Sequence, residues 1–210
     1  MTENLPGLNS EKGKHASHVD LQSIGEEITA TILFIDLQGY TSFTARNLPQ
    51  NVIHVLRNYY NFAGSIIKKN NGHIIDYFGD GILSVFGMNH DSEHRLHAVN
   101  SGLEIVKNFG EFCEGLKPEI NEKFKVRLGA HTGKVIISTL GYEGMEKLAA
   151  VGDAVNVAHR IEEANRELLT SFLVSEDLYA KTAGLFKYGR YYHIPIKGKS
   201  GSQLVYEVHP

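Results

Sequence analysis

The segment Ile32-Leu33-Phe34-Ile35-Asp36-Leu37-Gln38-Gly39-Tyr40-Thr41 reads as a buried strand that ends in an acid. A second segment, Tyr77-Phe78-Gly79-Asp80-Gly81-Ile82-Leu83-Ser84-Val85-Phe86-Gly87, places another acid between glycines. Apolar and β-branched residues on both faces of 28–35 predict a central strand with no solvent side. The runs 73–78 and 82–86 predict a β-hairpin with Asp80 in its turn. In a β-α-β-β unit, the end of the first strand and the turn of the hairpin are neighbours. Taken singly, Asp36 and Asp80 are ordinary acids of turns. Together on a glycine-rich framework they suit two hard divalent cations, which bind through one or two carboxylates plus substrate phosphates. The reading is that Asp36 and Asp80 hold two metal ions on a nucleoside triphosphate.

Outward from this pair, Pro49 suits the first turn of a helix. Val52, Leu56, Tyr59, Ala63, Ile66 and Ile67 recur at helical spacing, which predicts an amphipathic helix to about Asn70. Gly39 breaks the chain after the first strand, and 40–47 reads as a polar turn. A second helix is expected over 91–109, with Cys113 just beyond it. Strands are expected over 124–132 and 135–139, with Gly133 between them, followed by a glycine-bearing loop over 141–147. Asp153 is placed to cap the next helix. Then come a strand at 171–174, a short helix at 176–183, and an antiparallel pair at 188–194 and 204–208. The order β-α-β-β-α-β, then more α and β, predicts an α+β fold: an antiparallel sheet with helices packed on it around a ferredoxin-like core.

Composition narrows the classes. The 210 residues fit one domain with a real core, expected at 28–210 behind a polar tail at 1–27. A net charge of −3 with no long basic run argues against a nucleic-acid-binding surface. The single cysteine excludes an intrachain disulfide and a multi-cysteine zinc site, and fits a reducing compartment. No apolar run approaches the roughly 20 residues of a membrane helix. No signal-peptide core opens the chain, so a cytoplasmic location is expected. The eleven histidines are scattered and form no H-E-x-x-H.

One further block carries chemistry. In Gly152-Asp153-Ala154-Val155-Asn156-Val157-Ala158-His159-Arg160, Asn156 and Arg160 stand four apart, on one helical face. On spacing alone this is a solvated face. An amide and a guanidinium there also suit a ribose and a phosphoryl group gaining charge.

Four blocks in order resemble the class III nucleotide cyclase catalytic domain: Phe34-x-Asp36-x-x-Gly39-Tyr40-Thr41, Gly79-Asp80, Arg127-Leu128-Gly129-Ala130-His131-Thr132-Gly133, and Val151-Gly152-Asp153-x-Val155-Asn156-x-Ala158-x-Arg160. The resemblance implies a head-to-tail homodimer with active sites at the interface. It implies two Mn2+ or Mg2+ ions on Asp36, Asp80 and the backbone carbonyl of Leu37. Asn156 and Arg160 would reach in from the partner subunit as catalytic groups, and Lys197 would contact the terminal phosphates. All these groups are present, so a homodimer would carry two complete sites.

The base-reading positions depart from the family. Adenylate cyclases carry a lysine at the position of Asp76 and an Asp or Thr at that of Ala149; guanylate cyclases carry Glu and Cys. An ionised acid cannot donate to adenine N1, and an alanine side chain accepts nothing. Asp76 can accept from a guanine N–H, from the N3–H of uracil or from the 4-amino group of cytosine. The chain is similar in this respect to the pyrimidine cyclases of bacterial antiphage systems, whose cyclic product switches on a separate effector protein. UTP is therefore the expected substrate and cyclic UMP the expected product, with cytidylate or guanylate cyclase as alternatives and an adenylate cyclase or a non-catalytic nucleotide-binding module ranked below them.

Overall fold

The computed structural model describes residues 25–117, 120, 122–195 and 201–210. Strand β1 (Glu26–Gln38) is followed by α1 (Tyr40–Thr44), α2 (Pro49–Lys69), β2 (His73–Phe78), β3 (Gly81–Phe86) and α3 (His94–Leu116). Then come β4 (Lys125–Leu140), β5 (Lys147–Val151), α4 (Asp153–Leu168), β6 (Phe172–Ser175), α5 (Glu176–Thr182), β7 (Lys187–Pro195) and β8 (Ser202–His209). The strands form one sheet in the order β2-β3-β1-β4-β6-β8-β7, with β5 paired to β4 off that path. All neighbours are antiparallel except β4 and β6. The first four strands keep the ferredoxin-like order, and the α+β expectation holds.

The central strand explains the layers. Successive side chains of β1 point to opposite faces. Leu33, Ile35 and Leu37 join a core with Val55, Tyr59 and Ala63 of α2 and Ala98, Val99 and Ile105 of α3. Ala30, Ile32 and Phe34 meet Ala154 and Ala158 of α4 on the other face. Both faces are therefore covered, and β1 has no solvent side over this stretch.

Several local expectations are corrected. Residues 40–44 form a helical turn rather than a polar loop; Gly39 precedes it at φ 101°, a left-handed value that costs glycine little. Helix α3 does not stop at 109 but runs on to Leu116 and includes Cys113. Gly110 there faces open space, and a single helical glycine costs only about 1 kcal/mol. The strands expected on either side of Gly133 are one strand, β4. A Cβ at Gly133 would lie 2.8 Å from the Cβ of Ala154, so this glycine admits α4 rather than ending a strand. Strand β5 was not anticipated: Lys-Leu-Ala-Ala-Val has no clear alternation and is held by pairing with residues 136–140 of β4. Asp153 is the first residue of α4, not its cap; Gly152 holds that position without a side-chain bond.

Candidate active site

Asp36 follows Ile32 and Phe34 along β1 and so belongs to the face covered by α4. Directly opposite it on β4 is Arg127. Arg127 Nη2 donates to Asp36 Oδ2, with the two side chains 15% and 23% exposed. Below α4, residues Arg127, Gly129, His131 and Gly133 alternate along β4. A Cβ at Gly129 would lie 2.1 Å from the backbone nitrogen of Glu162 and 2.6 Å from the Ala158 carbonyl oxygen. The missing side chain is what lets α4 sit so close. Asn165 then ties the helix end to β4, its Nδ2 donating to the Leu128 carbonyl at 2.9 Å.

Close seating brings Glu162 under the helix, 5% exposed, with Oε1 3.3 Å from Arg127 Nε. The two atoms are near but not aligned as a hydrogen bond. Burial, and then the charge of Asp36, pushes the Glu162 carboxyl up to about 8, so it is largely protonated at neutral pH.

Asp80 sits in the β2–β3 turn against Asp36. Burial first, then the Asp36 charge, pushes its carboxyl up to about 6. Two carboxyl groups crowded together, one reluctant to ionise, form a donor set that a divalent cation relieves. Leu37 buries its side chain and offers only backbone. Among the described residues no group of three or more His, Cys, Asp or Glu forms a closed metal cage.

Asn156 and Arg160 both lie on the exposed face of α4, as their spacing predicts. Arg160 Nη1 donates to Glu163 Oε2 at 2.5 Å, and both side chains are more than two-fifths exposed. A cleft of about 570 Å³ is bordered by Asp36, Arg127, His159, Arg160, Glu162 and His193, among others. His159 stacks on Phe34 with ring centroids 4.9 Å apart, which packs α4 beside the acid. Asp80 and Asn156 are not part of this cleft's lining. A larger cavity, about 910 Å³, lies between α2 and β2 and holds none of the predicted site residues.

Asp76 is on β2 and Ala149 on β5, strands separated in the sheet order by β3, β1 and β4. The sheet curls so that β5 reaches β2 all the same. Lys147 Nζ donates to Asp76 Oδ2 at 2.6 Å, and the Tyr77 backbone N–H donates to Oδ1 at 2.9 Å. Lys147 and Ala149 are two apart on β5 and so share a face. Asp76 is therefore not an unpaired acid, which sequence reading alone did not detect. Lys197 lies outside the described residues.

Sequence reading singled out neither Arg127, Glu162 nor Lys147 as site residues. Arg127 stood inside a quoted motif, and the register of β1 on β4 is what sets it against Asp36.

The fold is an α+β domain in which Asp36 of β1 and Asp80 of the β2–β3 turn lie side by side. The family model for the adenylate and guanylate cyclase catalytic domain matches residues 23–209, and the chain belongs to that family. It is 27% identical over 184 residues to adenylate cyclase 1 of Rhizobium meliloti (strain 1021), covering 87% of this chain and 27% of the relative. It is 29% identical over 162 residues to the receptor-type guanylate cyclase gcy-13 of Caenorhabditis elegans, covering 76% of this chain and 15% of that protein. The chain thus spans about a quarter or less of these two curated relatives. Among solved structures, the guanylyl cyclase Cya2 superposes with a TM-score of 0.82 at 26% identity, covering 88% of this chain and 93% of that one. The adenylyl cyclase CyaB from P. aeruginosa gives 0.81 at 23% identity, covering 88% and 95%, a likeness of fold. No helix of the described residues is long and apolar enough to cross a membrane.

Proposed function

We propose that this chain, through a domain spanning about 28–210, cyclises a nucleoside triphosphate to the 3′,5′-cyclic monophosphate and pyrophosphate, with UTP the first candidate. The crowding of Asp80, in the β2–β3 turn, against Asp36 of β1, within a chain matched by the cyclase family model over 23–209, supports this reading. In the reaction the ribose O3′ bonds to the α-phosphorus as its proton departs, and the bond to the pyrophosphate oxygen breaks. Asp36, Asp80 and the Leu37 carbonyl would hold two divalent cations, Mn2+ or Mg2+. When bound, these would lower the cost of ionising the hydroxyl and of releasing pyrophosphate. Asn156 would orient the ribose, and Arg160 would neutralise charge growing on the phosphoryl group. Lys197 is the candidate for the terminal phosphates. By the family resemblance, Asn156 and Arg160 act from the partner of a head-to-tail homodimer. The exposed Leu140, Tyr142 and Met145 at the tip of the β4–β5 hairpin support such a contact.

The base assignment rests on Asp76 and Lys147. The carboxylate is oriented by the Tyr77 N–H, and the Lys147 ammonium donates to its other oxygen. A fixed acceptor suits a ring N–H, and a donor beside it suits the adjoining carbonyl. Uracil offers N3–H with a carbonyl on each side. Adenine and cytosine present a ring lone pair where uracil has N–H. Guanine, with N1–H beside O6, has the same order of groups, and it is the second reading. Action of the cyclic nucleotide on a separate effector in antiphage defence, in the cytoplasm, completes the proposal.

The test is product formation from each of the four ribonucleoside triphosphates with Mn2+. Cyclic UMP is expected to dominate; cyclic AMP as the main product would sink the base assignment. Asp36→Ala and Asp80→Ala should abolish turnover with the fold retained. Arg160→Ala should lower kcat more than it raises KM, because its charge acts mainly in the transition state.

A further inference from the structure

The turn that carries Asp80 is held from outside its own hairpin. Tyr60, on α2, donates its hydroxyl to the carbonyl oxygen of Gly79. That carbonyl belongs to the peptide group joining Gly79 to Asp80, so the bond acts on the plane from which the Asp80 side chain departs. The turn itself offers little resistance to rotation. Gly79 adopts φ +65°, and a Cβ there would meet nothing within 4 Å. A glycine in open space is the freest joint a backbone has.

Tyr60, by contrast, is well anchored. Its ring lies against Tyr77 of β2, with centroids 4.3 Å apart, and beside Tyr59 at 5.9 Å. Tyr59 is wholly buried in the core between sheet and helices. A chain of contacts therefore runs from the core through α2 to the Gly79 carbonyl. Burial, together with the charges of Tyr40 and Asp80, raises the Tyr60 hydroxyl above its ordinary range, so it stays protonated and able to donate.

The geometry points to Tyr60 as a positioning residue for Asp80: its hydroxyl fixes the Gly79–Asp80 peptide and with it the angle at which the carboxylate faces Asp36. The inference rests on the metal-binding role proposed above for the two acids. Tyr60 acts through the Gly79 carbonyl and not as a ligand to the cation. It restricts a glycine joint beside Asp80, so that the acids meet a cation without first ordering the turn.

The test is Tyr60→Phe, which keeps the ring on Tyr77 and removes only the hydroxyl. Mn2+ affinity, read by electron paramagnetic resonance titration of the free protein, should fall about five- to tenfold. Hydrogen exchange at the Gly79, Asp80 and Gly81 amides should quicken, while exchange in β1 and α4 stays as in the parent. Turnover should fall through kcat, with KM for the nucleotide little changed. Tyr60→Leu, which also loses ring packing, separates hydroxyl from bulk: an effect present only in the leucine variant overturns the inference. So does a Tyr60→Phe protein with parental Mn2+ affinity and parental exchange at the turn. Should Asp36→Ala and Asp80→Ala leave Mn2+ binding intact, the metal reading fails by itself. The exchange rates then decide whether Tyr60 holds the turn, and unchanged rates overturn that too.

Discussion

Asp36 and Arg127 stand directly opposite each other on β1 and β4, and the guanidinium is bonded to the carboxylate although both side chains are mostly out of solvent. Arg127 is also the nearest cation to Glu162. Its charge also acts on Asp80 and Glu162, drawing both carboxyls down against the burial that raises them.

Arg127→Gln should therefore destabilise the metal-free protein by about 3 kcal/mol, the usual cost of breaking a buried pair from one side. With Mn2+ the loss should shrink, because the ion takes over the counter-charge. Urea unfolding with and without Mn2+ reads both values. Equal losses in the two conditions would contradict this account.

The acids were legible in the sequence and their counter-charge was not, for a physical reason. Asp36 and Asp80 each sit at a break in local pattern, a strand end and a glycine turn, and such breaks are visible within a few residues. Arg127 is 91 residues from Asp36, and only the register of β1 on β4 opposes them. Glu162 looked like any polar residue of an amphipathic helix; its burial depends on Gly129 beneath it. Lys147 was hidden because β5 takes its strand form from its partner. The glycines misled in the other direction. Gly133 was read as punctuation, yet its role is to leave room for α4.

Glu162 makes stability depend on pH. Folded, it keeps its proton up to about pH 8; unfolded, only to about pH 4.3. Between these values the folded chain binds the extra proton, so stability falls as pH rises and levels off above about 8. Asp80 has given up its raised proton by about 6. His94, held neutral down to about 4 chiefly by burial, loses stability only as pH falls below about 6.5. The melting temperature of the metal-free protein should thus decline from pH 6.5 to 8. Glu162→Gln should remove most of that slope, and an unaltered slope would place its origin elsewhere.

Gly129→Ala tests the seating of α4. The added carbon would meet backbone of Glu162 and Ala158, which cannot rotate away as a side chain can. A loss of about 3 kcal/mol is expected by denaturant unfolding. A loss below about 1 kcal/mol would mean that helix and strand separate easily.

Lys147→Ala should cost little stability, under about 1 kcal/mol, because the Lys147–Asp76 pair is largely solvated. Its effect should appear in base choice, narrowing the preference for uracil over cytosine among the triphosphates turned over. An unchanged preference would remove Lys147 from base reading.

Gly129 and Gly133 press α4 onto β4 with no compressible layer between them, and Asn165 pins the far end. The strand bearing Asp36 is paired along its length to β4, so it and the helix bearing Asn156 and Arg160 would be expected to move together. In a head-to-tail pair, each chain would lend its acids to one pocket and its helix to the other. Neither pocket could be retuned alone. The adjustable quantity left for any regulator would be the angle between two stiff bodies, and setting it would throttle both reactions at once.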